Sequence, residues 1–148
     1  MIRFLLNDDE IALEEINPNI SLLEYLREEV YLTGTKEGCA SGDCGACTVV
    51  TSKLDDDNAS LQYESINACI VPLGSLHGRQ IITVEHLQHL ESLHNCQRAM
   101  AVNHGSQCGF CTPGFVMSLF SYLKNMHCRS ETLHDQLSHP INPLTFRS

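Results

Sequence analysis

Residues 36–50 read "KEGCASGDCGACTVV", and their three cysteines, Cys39, Cys44 and Cys47, fall within nine positions. Glycine, alanine and serine fill most of the space between them, and Thr48-Val49-Val50 then reads as the start of a strand. Gly42, Gly45 and Ala46 let the backbone come close to whatever the sulfurs hold, and glycine tolerates the positive φ angles of a tight wrap.

A fourth cysteine, Cys69, follows 22 residues after Cys47. The spacing C-x4-C-x2-C with a distant fourth cysteine is that of a plant-type [2Fe–2S] loop. Amide N–H groups turned toward such a centre stabilise the negative charge added on one-electron reduction. The alternative is structural zinc, which commonly uses two C-x2-C-like pairs, whereas here the last cysteine stands alone.

The chain has 148 residues, eight cysteines and a formal charge of −9. That length allows one ordinary domain or two small ones with modest cores, which a metal staple would help. The opening "MIRFLLNDDE" has an apolar stretch too short for a signal peptide, and no stretch approaches the length of a membrane span. A cytoplasmic location is therefore expected, where clustered cysteines more often bind metal than pair as disulfides. The acidic balance argues against nucleic acid and anionic membrane as partners.

The charge is uneven. Residues 1–84 hold 14 acids and 5 bases, while residues 85–148 hold 4 of each together with seven of the eight histidines. Four cysteines lie in each part. This shift predicts two domains, 1–84 and 85–148.

The first part predicts an α+β domain. Ile2, Phe4 and Leu6 alternate as a strand and residues 7–10 turn the chain. Ser21 and Glu24 form a capping box ahead of Leu22, Leu23, Leu26 and Val30 on one helical face. Strands are expected at 48–52, 61–66 and 81–84, the first two joined across the acidic turn 54–58. The second part predicts helices. One, over 92–103, carries Leu93, Cys96, Met100 and Val102; another, over 113–125, starts with Thr112 as N-cap and carries Phe115, Val116, Leu119, Phe120 and Leu123. A weak third helix would follow Ser130 with Leu133 and Leu137. His86 and His89, with Glu91 or His94 nearby, are read as a solvated helix face rather than a metal clamp. Gly34 and Gly38 lack the context of a phosphate loop and instead shape the approach to the cysteines.

Cys108 and Cys111, in Gln107-Cys108-Gly109-Phe110-Cys111, precede the second helix, whose N-terminal dipole favours thiolates and an anionic centre. Taken together, "TGTKEGCASGDCGACTVV" and "HGSQCGFCTPGFVMSL" resemble the iron–sulfur part of molybdenum hydroxylases, in particular the bacterial xanthine dehydrogenase small subunit. The resemblance spans roughly residues 1–138. It implies a β-grasp, plant-type ferredoxin-like domain followed by a helical [2Fe–2S]-binding domain. It also implies electron flow from a molybdopterin site through two clusters to FAD, with purines as substrates. Cys39 and Cys44 would hold one iron of the first cluster, Cys47 and Cys69 the other, and Gln107 would lie beside the molybdopterin. The implied partners are a molybdenum-binding large subunit and a FAD-containing domain or subunit.

One departure stands out. The family completes its second cluster with a Cys-Arg-Cys pair about thirty residues after the C-x2-C, where this chain reads Pro140-Ile141-Asn142-Pro143. Cys128-Arg129-Ser130 imitates half of that pair too early, at the far end of a helix about 20 Å long. The second set, Cys108 and Cys111, is therefore expected to be incomplete, the helical domain C-terminally truncated, and the Phe115/Leu119/Phe120 side partly uncovered. Cys96 and Cys128 are expected to be buried or incidental thiols. A free-standing ferredoxin-like carrier and a non-functional truncated product are the alternative readings.

Overall fold

A computed structural model describes residues 1–54, 61–88 and 92–129, with side chains to residue 126. Its centre is a five-stranded mixed sheet in the order β2-β1-β5-β3-β4. Strands β1 (Ile2–Leu6) and β2 (Asp9–Leu13) form an antiparallel hairpin, as do β3 (Thr48–Leu54) and β4 (Leu61–Asn67). Between the hairpins lies β5 (Gln80–Ile82), parallel to β1 and antiparallel to β3. This is the expected β-grasp arrangement within an α+β fold.

Strand β2 was not expected, because residues 7–10 read as a turn. Only Asn7 and Asp8 turn the chain, with Asn7 at φ 58°, a conformation asparagine tolerates better than most residues. Ile11 and Leu13 then return along β1. The expected strand at 81–84 is shorter, because Val84–Leu87 winds into a 3₁₀ turn. His86 sits in that turn, its Nε2 3.6 Å from Asp8 Oδ1, so the expectation of a solvated helix face fails for it. His89, Glu91, the acids at 55–57 and the weak third helix lie outside the described residues.

Successive strand residues face opposite sides, and both sides are covered. Phe4, Leu6, Val49 and Ile81 face the first helix, whose α turn α1 (Leu22–Glu24) continues into a wider π turn (Tyr25–Glu29) closed by the Val30 N–H bonding the Tyr25 carbonyl at 3.2 Å. Leu22, Leu23 and Leu26 are buried there, and the Ser21 hydroxyl accepts from the Glu24 N–H as expected. Val50 and Ile82 face the other side, against α2 (Asn95–Val102) and α3 (Thr112–Arg129). Cover on both sides explains why five successive residues of β3, 48–52, are all buried.

Helix α3 presents Val116, Met117 and Phe120 to the sheet, each burial contributing roughly 2 kcal/mol. Phe120 packs edge-on against Tyr63 and His94. The Phe115/Leu119/Phe120 side is partly uncovered, as expected: Phe120 is buried and Leu119 half-buried, while Phe115 is 62% exposed. Phe115 and Phe120 stand about 140° apart around the helix. Leu93 and Val102 are likewise exposed, the first lying before α2 and the second on the face away from Cys96. Asn125 donates to the Tyr63 carbonyl at 2.7 Å and accepts from its N–H at 3.2 Å, fastening α3 to edge strand β4.

Among the described residues no helix is long and apolar enough to cross a membrane.

Candidate metal centre

The loop between the π turn and β3 is shaped by its small residues. Gly42 and Gly45 take φ angles of 83° and 71°, and Ala40 joins them at 54°, a left-handed residue that the sequence did not single out. A Cβ on Gly42 would meet Ile70 at 2.8 Å, so the glycine also lets the loop lie against the Cys69 segment. Asn67 donates to the Gly42 carbonyl at 2.6 Å, and the Gly45 carbonyl accepts from the Thr48 N–H and hydroxyl.

The result is a cradle aimed at sulfur. Cys39 Sγ accepts from the N–H groups of Ser41, Asp43 and Cys44 at 3.4, 3.3 and 3.4 Å. The Ser41 hydroxyl, and then these amides, lower the Cys39 pKa to about 6. Cys69 moves the other way, up to about 11, through burial and its hydrogen bond with Cys47, while the Gly42 N–H opposes the rise. Cys47 is buried and Cys69 half-buried, whereas Cys39 and Cys44 are exposed. The loop thus presents two inner and two outer thiols, with amide donors already turned toward sulfur. That donor set suits an anionic binuclear cluster with Cys₄ ligation. Among the described residues no three His, Cys, Asp or Glu side chains are arranged to hold a single metal ion; a two-iron core spreads its four thiolates more widely.

Of the two glycines before the loop, Gly38 lies against the cysteines, whereas Gly34 lies against the Val84–Leu87 turn. The Gly34 N–H donates to Glu85 Oε1 at 2.7 Å, across a gap a Cβ would fill. A Cβ on Gly38 would stand 2.7 Å from Cys44 Sγ and 3.6 Å from Phe110.

Phe110 belongs to the second set, so the two cysteine loops adjoin. Gly114, in the first turn of α3, lies directly against the Gly45 carbonyl. Gln107, Cys108 and Cys111 are all exposed, with Gly109 between the thiols at φ 85°. The Cys111 carbonyl accepts the Phe115 N–H at 3.1 Å, so Cys111 occupies the N-cap position expected of Thr112. The Thr112 hydroxyl instead pairs with Ser106 at 2.7 Å. Among the described residues the two other cysteines of this half lie apart from the pair. Cys96 is buried on the sheet side of α2, its thiol pKa pushed up by burial. Cys128 lies about 25 Å along α3 from Cys111.

Residues 4–74 match the family described as a 2Fe-2S iron-sulfur cluster binding domain, and residues 83–142 one described as a [2Fe-2S] binding domain. A xanthine dehydrogenase of Emericella nidulans is 52% identical over 124 residues, and aldehyde oxidase 3 of Mus musculus 45% identical over 123. These alignments cover 84% and 82% of this chain, which spans about 9% of the length of such relatives. Among solved structures, quinoline 2-oxidoreductase from Pseudomonas putida 86 superposes with a TM-score of 0.70 at 34% identity, over 82% of this chain and 68% of that one. The aldehyde oxidoreductase from Desulfovibrio gigas gives 0.71 at 34% identity, over 84% and 13%.

Proposed function

Because this chain belongs to the molybdenum hydroxylase family, as its iron–sulfur electron-transfer part, we propose that it relays single electrons from a molybdopterin-holding partner towards FAD. The observation that carries this is the three-amide cradle on Cys39 within the Cys39/Cys44/Cys47/Cys69 set. When bound, a [2Fe–2S] cluster supplies reversible one-electron chemistry, near −400 mV in plant-type sites.

In this proposal Cys39 and Cys44 hold the outer iron and Cys47 and Cys69 the inner one, a split that the exposure of the thiols supports. The amides of Ser41, Asp43 and Cys44 offset the negative charge gained on reduction. Buried Ala46 and Cys47 keep water from the inner side, and the exposed Cys39/Cys44 edge is where a redox partner approaches. Gln107, exposed beside the second thiol pair, is assigned to the face that meets the molybdopterin. The partners are a molybdenum-binding large chain and a FAD-holding domain, the substrates are purines, and the proposed domain limits are 1–84 and 85–148.

The test begins with metal content. A Cys108→Ser/Cys111→Ser variant should hold about two irons and two labile sulfides per chain, and adding Cys69→Ser should abolish its visible absorption. Uptake of one tetrahedral divalent ion in place of iron and sulfide refutes the assignment. Co-expression with a molybdenum-binding large chain should then give a stable complex whose purine substrate bleaches this chain's absorption. A chain that never associates yet still cycles electrons is a free carrier instead.

A further inference from the structure

We propose that Glu85 is a positioning residue of the first cysteine centre. From the turn that leads into the helical half, its carboxylate pins the entry of the Cys39–Cys47 loop and so keeps the thiolate site in shape, which rests on reading Cys39, Cys44, Cys47 and Cys69 as cluster ligands.

The entry segment 33–36 lies outside any helix or strand. Side chains hold its backbone from two directions instead. Arg27, in the π turn, donates to the Thr33 and Thr35 carbonyls at 3.3 and 2.9 Å. Glu85 comes from 51 positions away and accepts the Gly34 N–H at 2.7 Å, short as hydrogen bonds to a carboxylate are. The next link is backbone: the Lys36 N–H bonds the Ala46 carbonyl at 3.3 Å, which ties the loop's entry to the residue before Cys47. Fixing Gly34 thus constrains both ends of a loop that carries three of the four thiols.

The acid stands there against the interest of global stability. Glu85 Oε2 is buried and meets no donor among the described residues, and Thr35 Oγ1, beside Gly34, is in the same position. A buried acceptor without a partner is destabilising, and departures of this kind gather at functional sites.

The approach is also specific. A Cβ on Gly34 would stand 2.5 Å from Glu85 Oε1 and 2.7 Å from Val84 Cγ1, so a side chain there would push the turn away. The turn itself is anchored in the helical half: Leu87 is buried with Val116, Met117 and Phe120 of α3, and Gln97 of α2 donates to the Val84 carbonyl at 3.1 Å. Through Glu85, the seat of those helices on the sheet is passed to the first loop.

The experiment uses the full chain carrying Cys108→Ser/Cys111→Ser as the parent, so that first-site iron alone is read. Reconstituted protein is mixed with an iron chelator under native conditions, and iron release is followed beside visible circular dichroism and the urea midpoint. Glu85→Ala should release iron at least about tenfold faster, the scale for losing an outer-shell partner of a metal site, with an altered visible spectrum. Glu85→Gln keeps an acceptor for the Gly34 N–H and should stay near the parent in both. Gly34→Ala should behave as Glu85→Ala does. Cys96→Ala, weakened by a cavity in the core under α2, should release iron at the parent rate, because opening of the loop and not global unfolding sets that rate. Should Glu85→Ala not fold, Glu85→Asp, which draws the carboxylate back by one methylene, is read in its place with the same expectation. An unchanged rate in the Glu85 variant overturns the proposal, as does an acceleration that Cys96→Ala reproduces or that Glu85→Gln fails to reverse. A parent that takes up no iron and sulfide overturns the first-site reading itself, which separates the two failures.

Discussion

Gly114 of α3 packs so closely on the Gly45 carbonyl that any Cβ there would overlap the oxygen. The contact joins the first turn of the second cysteine segment to the backbone of the first loop, and it fixes where α3 lands on β3. Alanine normally favours a helix over glycine by about 1 kcal/mol. Gly114→Ala should nevertheless destabilise the protein, by about 1–3 kcal/mol net, because overpacking against a rigid carbonyl must move the helix or the loop. Urea unfolding checks the sign, and a shifted visible spectrum would show that the loop around Cys44 moved. A stabilised variant would mean that the contact is loose.

Cys96 tests the claim that some thiols here only pack. Cys96→Ala should leave iron and sulfide content unchanged while costing about 1–2 kcal/mol of stability, the scale expected for a small cavity in a core. Its neighbours Val50, Ile82 and Met117 are buried with it. Loss of iron in this variant would show that Cys96 reaches a metal.

The first loop was legible because its chemistry is local: spacing, glycines and a following β-branched run sit in consecutive positions. The second set was legible as a pair on one loop. What the sequence hid depends on distant contacts. Tyr63 looks like an ordinary strand residue until Asn125, 62 positions on, bonds its backbone. Phe120 and Phe115 belong to one apolar stripe by period, and only the placement of the sheet decides that one is buried and the other is not. His94 gave no signal because histidine is an uncommon cap, and Ala40 gave none because nothing about alanine advertises a left-handed φ.

His94 makes α2 sensitive to acid. Its Nδ1 accepts from the Cys96 N–H at 3.2 Å while the Gln97 side chain accepts from the His94 N–H at 3.0 Å, a reciprocal cap that needs neutral imidazole. Burial, and then the Lys124 ammonium, hold its pKa below the ordinary value. The unfolded chain therefore takes up this proton first. The cap's contribution is complete above about pH 6.5 and is lost as pH falls through the lower folded value. His94→Asn keeps a capping oxygen without titration, so its urea midpoint should fall less than that of the wild type between pH 7.5 and 5.5. Equal falls would clear His94 of any part in acid sensitivity.

Asn125 serves an edge strand. β4 is the outermost strand among the described residues, and the Asn125 amide meets both the N–H and the carbonyl of Tyr63. Edges managed this way resist pairing with other chains. Asn125→Leu keeps similar bulk and removes both bonds, and because the site is exposed, water will replace part of what is lost. The cost should be about 1 kcal/mol, with hydrogen exchange at the Tyr63 amide accelerating more than at Val50 or Ile82. If Tyr63 stays protected in Asn125→Leu, then α3 is held to the sheet by its apolar face alone.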